Sequence, residues 1–158
     1  MANTFNVIYL HTVFAVKHRY GLLPPHIQPS VHAYLAESLR QLKQRPIIVG
    51  GVNDHVHLLY GYNPTVYFPD MIRDIKTATS KFINRQHLIP FKFVWQAGYG
   101  TFSYSESQVE AVKAYIRRQP EHHINTSFID EYKSILEKFK VEFKDEYIFH
   151  EPLDGFPE

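Results

Sequence analysis

Pro46-Ile47-Ile48-Val49-Gly50-Gly51-Val52-Asn53-Asp54-His55-Val56-His57-Leu58-Leu59-Tyr60-Gly61-Tyr62 is the stretch that decides the fold. Two short apolar runs, 46–52 and 55–62, flank Asn53-Asp54, the composition of a tight hairpin turn, so the runs are expected to pair as antiparallel strands. Side chains alternate faces along a strand, which puts His55 and His57 on one face and Val56 and Leu58 on the other. Two imidazoles on one face suit a divalent metal. The same pairing also occurs in strands that hold none.

On the N-terminal side, Asn6 to Lys17 is rich in β-branched and aromatic residues and reads as a strand, followed by a loop at Gly21 and Pro24-Pro25. Ile27, Val31, Tyr34, Leu35, Leu39 and Leu42 then fall on one helical face, and Pro46 is expected to stop that helix. On the C-terminal side, Pro69 suits the first turn of a second helix whose buried stripe is Met71, Ile72, Ile75, Ala78, Phe82 and Ile83. Phe93 to Ser103 looks extended, interrupted by Gly98 and Gly100. Ser105 and Gln108 form a capping-box start for a third helix, with Val109, Val112 and Ile116 on its apolar face and a stop or kink near Pro120. Phe128, Tyr132, Ile135, Leu136 and Phe139 mark a fourth. The order predicts an α+β domain, an antiparallel sheet with helices mainly on one face, spanning residues 1–158 as one unit with an acidic tail from about 140 to 158.

Composition sets wide bounds. Of 158 residues, 44% are hydrophobic and 15% aromatic, ample for one core. No apolar run is long enough to cross a bilayer and the first residues lack a secretory pattern, so no membrane association and a cytoplasmic location are expected. Without cysteine, any metal must be held by histidine, carboxylate, amide or water, which gives weight to the 10 histidines. Net charge is only +1, but it is unevenly spread: residues 1–66 carry 5 Lys/Arg against 2 Asp/Glu, residues 67–125 carry 8 against 5, and residues 126–158 carry 4 against 9. The basic part holds the histidine pair, which is compatible with a phosphate-bearing partner and equally with a solvated surface.

Tyr115 and Gln119 are four residues apart on the third helix and share a face beside its apolar stripe. Alone, Tyr115 fits a core hydrogen-bonding role as well as an active site, in a chain with 11 tyrosines, and Gln119 fits a plain helix terminus.

Taken in order, His11, Asp54-His55-Val56-His57-Leu58-Leu59, Trp95-Gln96-Ala97-Gly98-Tyr99-Gly100 and Tyr115-Ile116-Arg117-Arg118-Gln119-Pro120-Glu121-His122-His123 resemble the single-tyrosine HUH transposases. These are bacterial insertion-sequence enzymes that cut and rejoin single-stranded DNA, together with relatives associated with repetitive extragenic palindromes (REP). The resemblance runs from about Asn6 to Phe149. It implies a ferredoxin-like fold similar to RNA-recognition modules, Tyr115 as nucleophile, and His55, His57 and Gln119 as ligands of Mg²⁺ or Mn²⁺. It also implies a DNA partner with hairpin structure and a homodimer in which the tyrosine helix is donated across subunits. A tyrosine hydroxyl, with an ordinary pKa near 10, is a poor nucleophile unless its phenolate is stabilised, and a nearby cation does this while polarising the phosphate. Imidazoles are unusual Mg²⁺ ligands, so tolerance of Mn²⁺ is expected, with phosphate oxygens and water completing the shell.

Lys17, Arg19, Lys76, Lys81 and Arg85 are candidates for phosphate contact, with solvated surface as the default for each. His11 reads as structural rather than ligating, Asp54 as a turn residue or an imidazole partner, and Trp95 as core. Two rival functions compete: a non-catalytic or domesticated nucleic-acid-binding protein on the same fold, and a metal hydrolase acting on a small substrate. The latter is disfavoured because no third histidine or carboxylate stands at convincing spacing.

Overall fold

The structure, a computed structural model, describes residues 3–17, 23–145 and 148. Four strands form one sheet: β1 (Tyr9–Ala15), β2 (Arg45–Gly51), β3 (His55–Gly61) and β4 (Gly100–Tyr104), in the order β2-β3-β1-β4 with every neighbour antiparallel. With helix α1 (Gln28–Gln41) between β1 and β2, and α2 (Phe68–Arg85) between β3 and β4, this is the ferredoxin-like β-α-β-β-α-β arrangement. Three shorter helices follow: α3 (Val109–Arg117), α4 (Gln119–His122) and α5 (Phe128–Lys138).

Alternation along the two central strands divides the core. Phe14, Val56, Leu58 and Tyr60 face the long helices and pack with Val31, Leu35 and Leu39 of α1 and Met71, Ile72, Ile75 and Ile83 of α2. Val13 and Ala15 face the other way, toward Phe128, Tyr132 and Leu136 of α5, and Leu59 packs against Val109, Val112 and Ile116 of α3. The two long helices thus lie on one face, while the later short ones cover parts of the other, where His55 and His57 point.

One local expectation changes. α1 is ended at Gln41 by Lys43, which takes φ 65° and lets the Gln44 N–H donate to the Leu39 carbonyl, closing the helix before Pro46 is reached. Pro46 instead lies in β2, an edge strand where its missing N–H costs nothing, beside a register shift at Pro46/Ile48. Of the stop or kink expected near Pro120, the third helix takes the stop: α3 ends at Arg117, and α4 restarts at Gln119 with Pro120 in its first turn.

Two glycines set how closely the short helices approach the sheet. Gly50 pairs with His57, and a Cβ there would lie 2.8 Å from Ile116 Cγ2 and 3.0 Å from the Ile116 carbonyl oxygen. Gly100 pairs with Val13, and a Cβ there would overlap the Tyr132 hydroxyl. α3 and α5 therefore seat on bare backbone on either side of the histidine-bearing strand.

Candidate active site

His55 and His57 both point to the face covered by α3–α5, and both are fully buried. Each is oriented through its Nδ1. His55 Nδ1 donates to Asp54 Oδ1 at 2.7 Å, so Asp54 serves the imidazole as well as the turn. His57 Nδ1 and His11 Nε2 lie 2.7 Å apart and share a proton, which makes buried His11 the support of a site residue and not itself a convergent group. Both Nε2 atoms are thereby turned inward.

What they meet is Glu131 of α5, only 3% exposed. Its Oε1 lies 3.3 Å from His55 Nε2, 3.2 Å from His57 Nε2 and 3.2 Å from His123 Nε2. Its Oε2 accepts from Gln119 Nε2 at 2.8 Å, accepts a hydrogen bond from the Tyr115 hydroxyl, and lies 3.3 Å from His122 Nε2. Gln119 Oε1 is 3.1 Å from His55 Nε2. Tyr115, His55, His57 and Gln119, singled out from sequence, are therefore brought together, although Tyr115 and Gln119 sit on separate helices. The ground for dismissing a third carboxylate or histidine is corrected: Glu131 and His123 are both present. Sequence reasoning missed Glu131 because at 74 residues from His57 no local spacing links them. Its one sequence signal was an acidic residue beside the apolar Phe128, Tyr132 and Leu136 of the same helix.

Electrostatics follow from this crowding. Burial would push the Glu131 carboxyl up, but the imidazoles of His123, His55 and His57 outweigh it and hold the group well below the ordinary carboxylate range. Burial likewise opposes charge on His55, yet Asp54 and Glu131 raise it to about 9. For His57 burial prevails and the pKa is lowered. Burial, reinforced by the Glu131 anion, raises the Tyr115 phenol, so the hydroxyl keeps its proton in this arrangement.

The donor set fits a divalent cation. His55, His57 and Glu131 offer ligand atoms within 4.8 Å of one another, as do His122, His123 and Glu131. The Nε2 atoms of His122 and His123 are buried and, though close to Glu131, make no aligned hydrogen bond. Buried nitrogen lone pairs left without donors are what a metal would satisfy. Beside the cluster a cleft of about 510 Å³ opens between α3 and α5, lined by Tyr104, Tyr115, His122, Thr126, Glu131 and Lys138 among others.

The basic candidates are placed differently. Lys76 already spends two of its ammonium N–H donors within the protein: its Nζ donates to the carbonyls of Gln96 (2.7 Å) and Gly98 (2.9 Å), and burial lowers it to about 8. Lys81 and Arg85 are exposed on α2, on the sheet face opposite the histidines. Lys17 is exposed at the end of β1. Arg19 lies outside the described residues. Trp95 is core, edge-on to Phe14 and Phe93. Among the described residues no helix is long and apolar enough to cross a membrane.

Sheet and site together define a ferredoxin-like domain with paired strand histidines facing a helical tyrosine. Residues 4–119 match the family described as "Transposase IS200 like", and the chain belongs to that family. Among solved structures it is similar to a protein assigned as a transposase from Deinococcus radiodurans R1 (23% identity over 75% of this chain and 95% of that one, TM-score 0.59). It is also similar to a REP-associated tyrosine transposase bound to a REP hairpin (15% identity, 78% and 74% covered, TM-score 0.54). At these identities both likenesses show the fold. Comparison with curated proteins gave no match. The family match ends at Gln119, so His122, His123 and Glu131 lie beyond it.

Proposed function

We propose that this chain cuts and rejoins single-stranded DNA through Tyr115. The observation that carries the reading is the convergence of the Tyr115 hydroxyl, Gln119, His55 and His57 on one buried point beside an open cleft. In the reaction the Tyr115 oxygen attacks the phosphorus and the bond from phosphorus to the preceding nucleotide's 3′ oxygen breaks. The phenol loses its proton and the leaving 3′ oxygen gains one. The products are a 5′-phosphotyrosine and a free 3′-hydroxyl, and attack by another 3′-hydroxyl reverses the step to rejoin DNA without a nucleotide cofactor.

His55, His57 and Gln119 would hold Mg²⁺ or Mn²⁺, which when bound supplies positive charge for the phenolate and the phosphate. The residues do the rest. Asp54 and His11 fix the two imidazoles, Gln119 holds Glu131 through its amide N–H, and Glu131 Oε2 keeps the phenol aimed into the site while retaining its proton. A phosphate entering from the cleft must displace that oxygen from Tyr115, so attack is coupled to occupation by substrate.

A single strand reaches such a cleft between helices more readily than a duplex, and a folded hairpin nearby would supply shape for recognition. The REP hairpin bound by the similar transposase favours a partner of this form. One chain alone brings all the groups named together, and on this reading a homodimer carries two self-contained sites. Labelled single-stranded oligonucleotides incubated with protein and resolved on denaturing gels test the reading. A covalent adduct that depends on Tyr115 supports it, and binding without an adduct would favour the non-catalytic alternative.

A further inference from the structure

Resting on the reading that a DNA phosphate enters the cleft, we infer that His122, His123 and Glu131 form a second cation site, separate from the ion of His55, His57 and Gln119, which opens on that cleft and takes a transition ion such as Zn²⁺ or Co²⁺. One ligand atom from each of the three residues lies within 4.8 Å of the other two. His123 Nε2 stands 3.2 Å from Glu131 Oε1, and His122 Nε2 stands 3.3 Å from Oε2. Donors about 2.0–2.1 Å from one ion are separated by roughly 2.9–3.4 Å when they are neighbours in its shell, from the bond lengths of imidazole and carboxylate zinc sites. Both separations fall in that range.

Local structure turns the two imidazoles together. Neighbouring side chains on a helix diverge by about 100°, but α4 ends here, with His123 as its C-cap, and both rings reach the same carboxylate. The His122 side chain is 34% exposed and that of His123 10%, yet both Nε2 atoms are buried without an aligned hydrogen-bond partner. A plain ion pair would aim an N–H at the carboxylate; these nitrogens stand beside it without doing so, as ligands of a common ion do. The other set has its own third donor, since Gln119 Oε1 lies 3.1 Å from His55 Nε2. Glu131 stands between the sets, its Oε1 also 3.3 and 3.2 Å from the Nε2 atoms of His55 and His57. Two-ion centres that act on phosphates hold their ions about 3.5–4 Å apart, near enough for one carboxylate to serve both.

Position gives this ion its work. His122 and Glu131 line the cleft beside Tyr115, whose ring lies 5.4 Å from that of His122. Three protein donors leave a position open, as in catalytic zinc sites, and a phosphate oxygen entering from the cleft fits it. Two imidazoles and a carboxylate suit Zn²⁺, Co²⁺ or Mn²⁺ better than Mg²⁺, which keeps to oxygen. All three residues lie past 119, so the segment beyond the family match supplies every protein ligand of this ion.

Calorimetric titration of the purified full chain with Zn²⁺, and the visible spectrum on titration with Co²⁺, test this without reference to activity. Two ions per chain are expected in the parent. His122→Ala and His123→Ala should each weaken one of them at least about 10-fold and keep the other, since even changes outside a ligand shell cost that much. His57→Ala should lose the opposite ion. Circular dichroism checks folding, and His122→Gln and His123→Gln replace the alanine variants if these unfold. If the parent binds one ion, lost in His57→Ala and unchanged in the His122 and His123 variants, the second site is wrong and the proposed function stands. If its one ion is instead lost in the His122 and His123 variants and kept in His57→Ala, the second site holds and the ion of the proposed function falls. Two ions bound but no Tyr115 adduct on single-stranded DNA would overturn the proposed cleavage alone. No ion bound at all removes the second site, and a Tyr115 adduct still formed in excess chelator would then leave the tyrosine chemistry standing without a metal.

Discussion

At the scale of single residues, the proposed nucleophile can be separated from its surroundings. Tyr115→Phe removes one oxygen, and with it the hydrogen bond to Glu131 Oε2, while the ring keeps its edge-on contact with His57 at 5.9 Å. Covalent attachment to a single-stranded oligonucleotide should vanish, with oligonucleotide affinity changed less than about 3-fold; a normal adduct yield on a denaturing gel removes Tyr115 from its role. A second prediction concerns His32 on α1, remote from the histidine cluster in sequence and lowered to about 4 by burial, its Nε2 without a partner. Because its folded pKa lies below the ordinary value of 6.5, the unfolded chain binds more protons between them, so its stabilising share is complete above pH 6.5 and lost as pH falls toward 4. The loss at pH 5 is at most about 2 kcal/mol. Urea midpoints at pH 7 and pH 5 should converge in His32→Leu relative to the parent; an unchanged gap refutes the assignment.

At the scale of elements, Gly50 fixes the seat of α3. In Gly50→Ala the new methyl meets the Ile116 side chain at 2.8 Å and its carbonyl oxygen at 3.0 Å, and backbone cannot rotate away. The helix end carrying Tyr115 must lift, at a cost of about 1–3 kcal/mol for overpacking, and adduct formation should fall more than oligonucleotide binding. Adding Ile116→Ala relieves only the side-chain part, so partial recovery is expected by thermal melt, and full recovery would show that the carbonyl contact does not matter. Sequence periodicity carried the long elements because each rule there is local: the hairpin around Asn53-Asp54, the stripe of α2 after Pro69, the capping box at Ser105. It also placed Tyr115 and Gln119 side by side, for a reason that holds only in part. The helix between them breaks, but the Arg118 N–H still reaches the Ala114 and Tyr115 carbonyls, so the last turn of α3 runs up to the residue before Gln119. Lys43 as a helix stop was not legible, since a lysine at positive φ has no sequence signature. Nor was Glu131, which pairs with histidines only after the whole chain has folded.

At the scale of the whole molecule, a single chain brings Tyr115 and His57 to one cluster. Mixing Tyr115→Phe protein with His57→Ala protein should give no covalent adduct, because each chain supplies both groups to its own cluster. Recovery of adduct on mixing, with subunit exchange shown, would mean that the tyrosine helix crosses between chains. Oligonucleotide binding should also weaken steeply with added salt, as phosphate contacts release counterions, and a salt-independent affinity would argue against a backbone-reading mode.

The cluster joins the innermost part of the chain to one of its last helices. β3 is paired on both sides, whereas α5 rests on the sheet by one face, yet His57 and Glu131 meet across 74 residues. In amide hydrogen exchange, β3 should protect at the level of global unfolding, while α5 exchanges through a smaller, cheaper opening. The proposed cleavage would then be set by how often that terminal unit is docked, so that molecules fully folded by their sheet signals could still be catalytically silent.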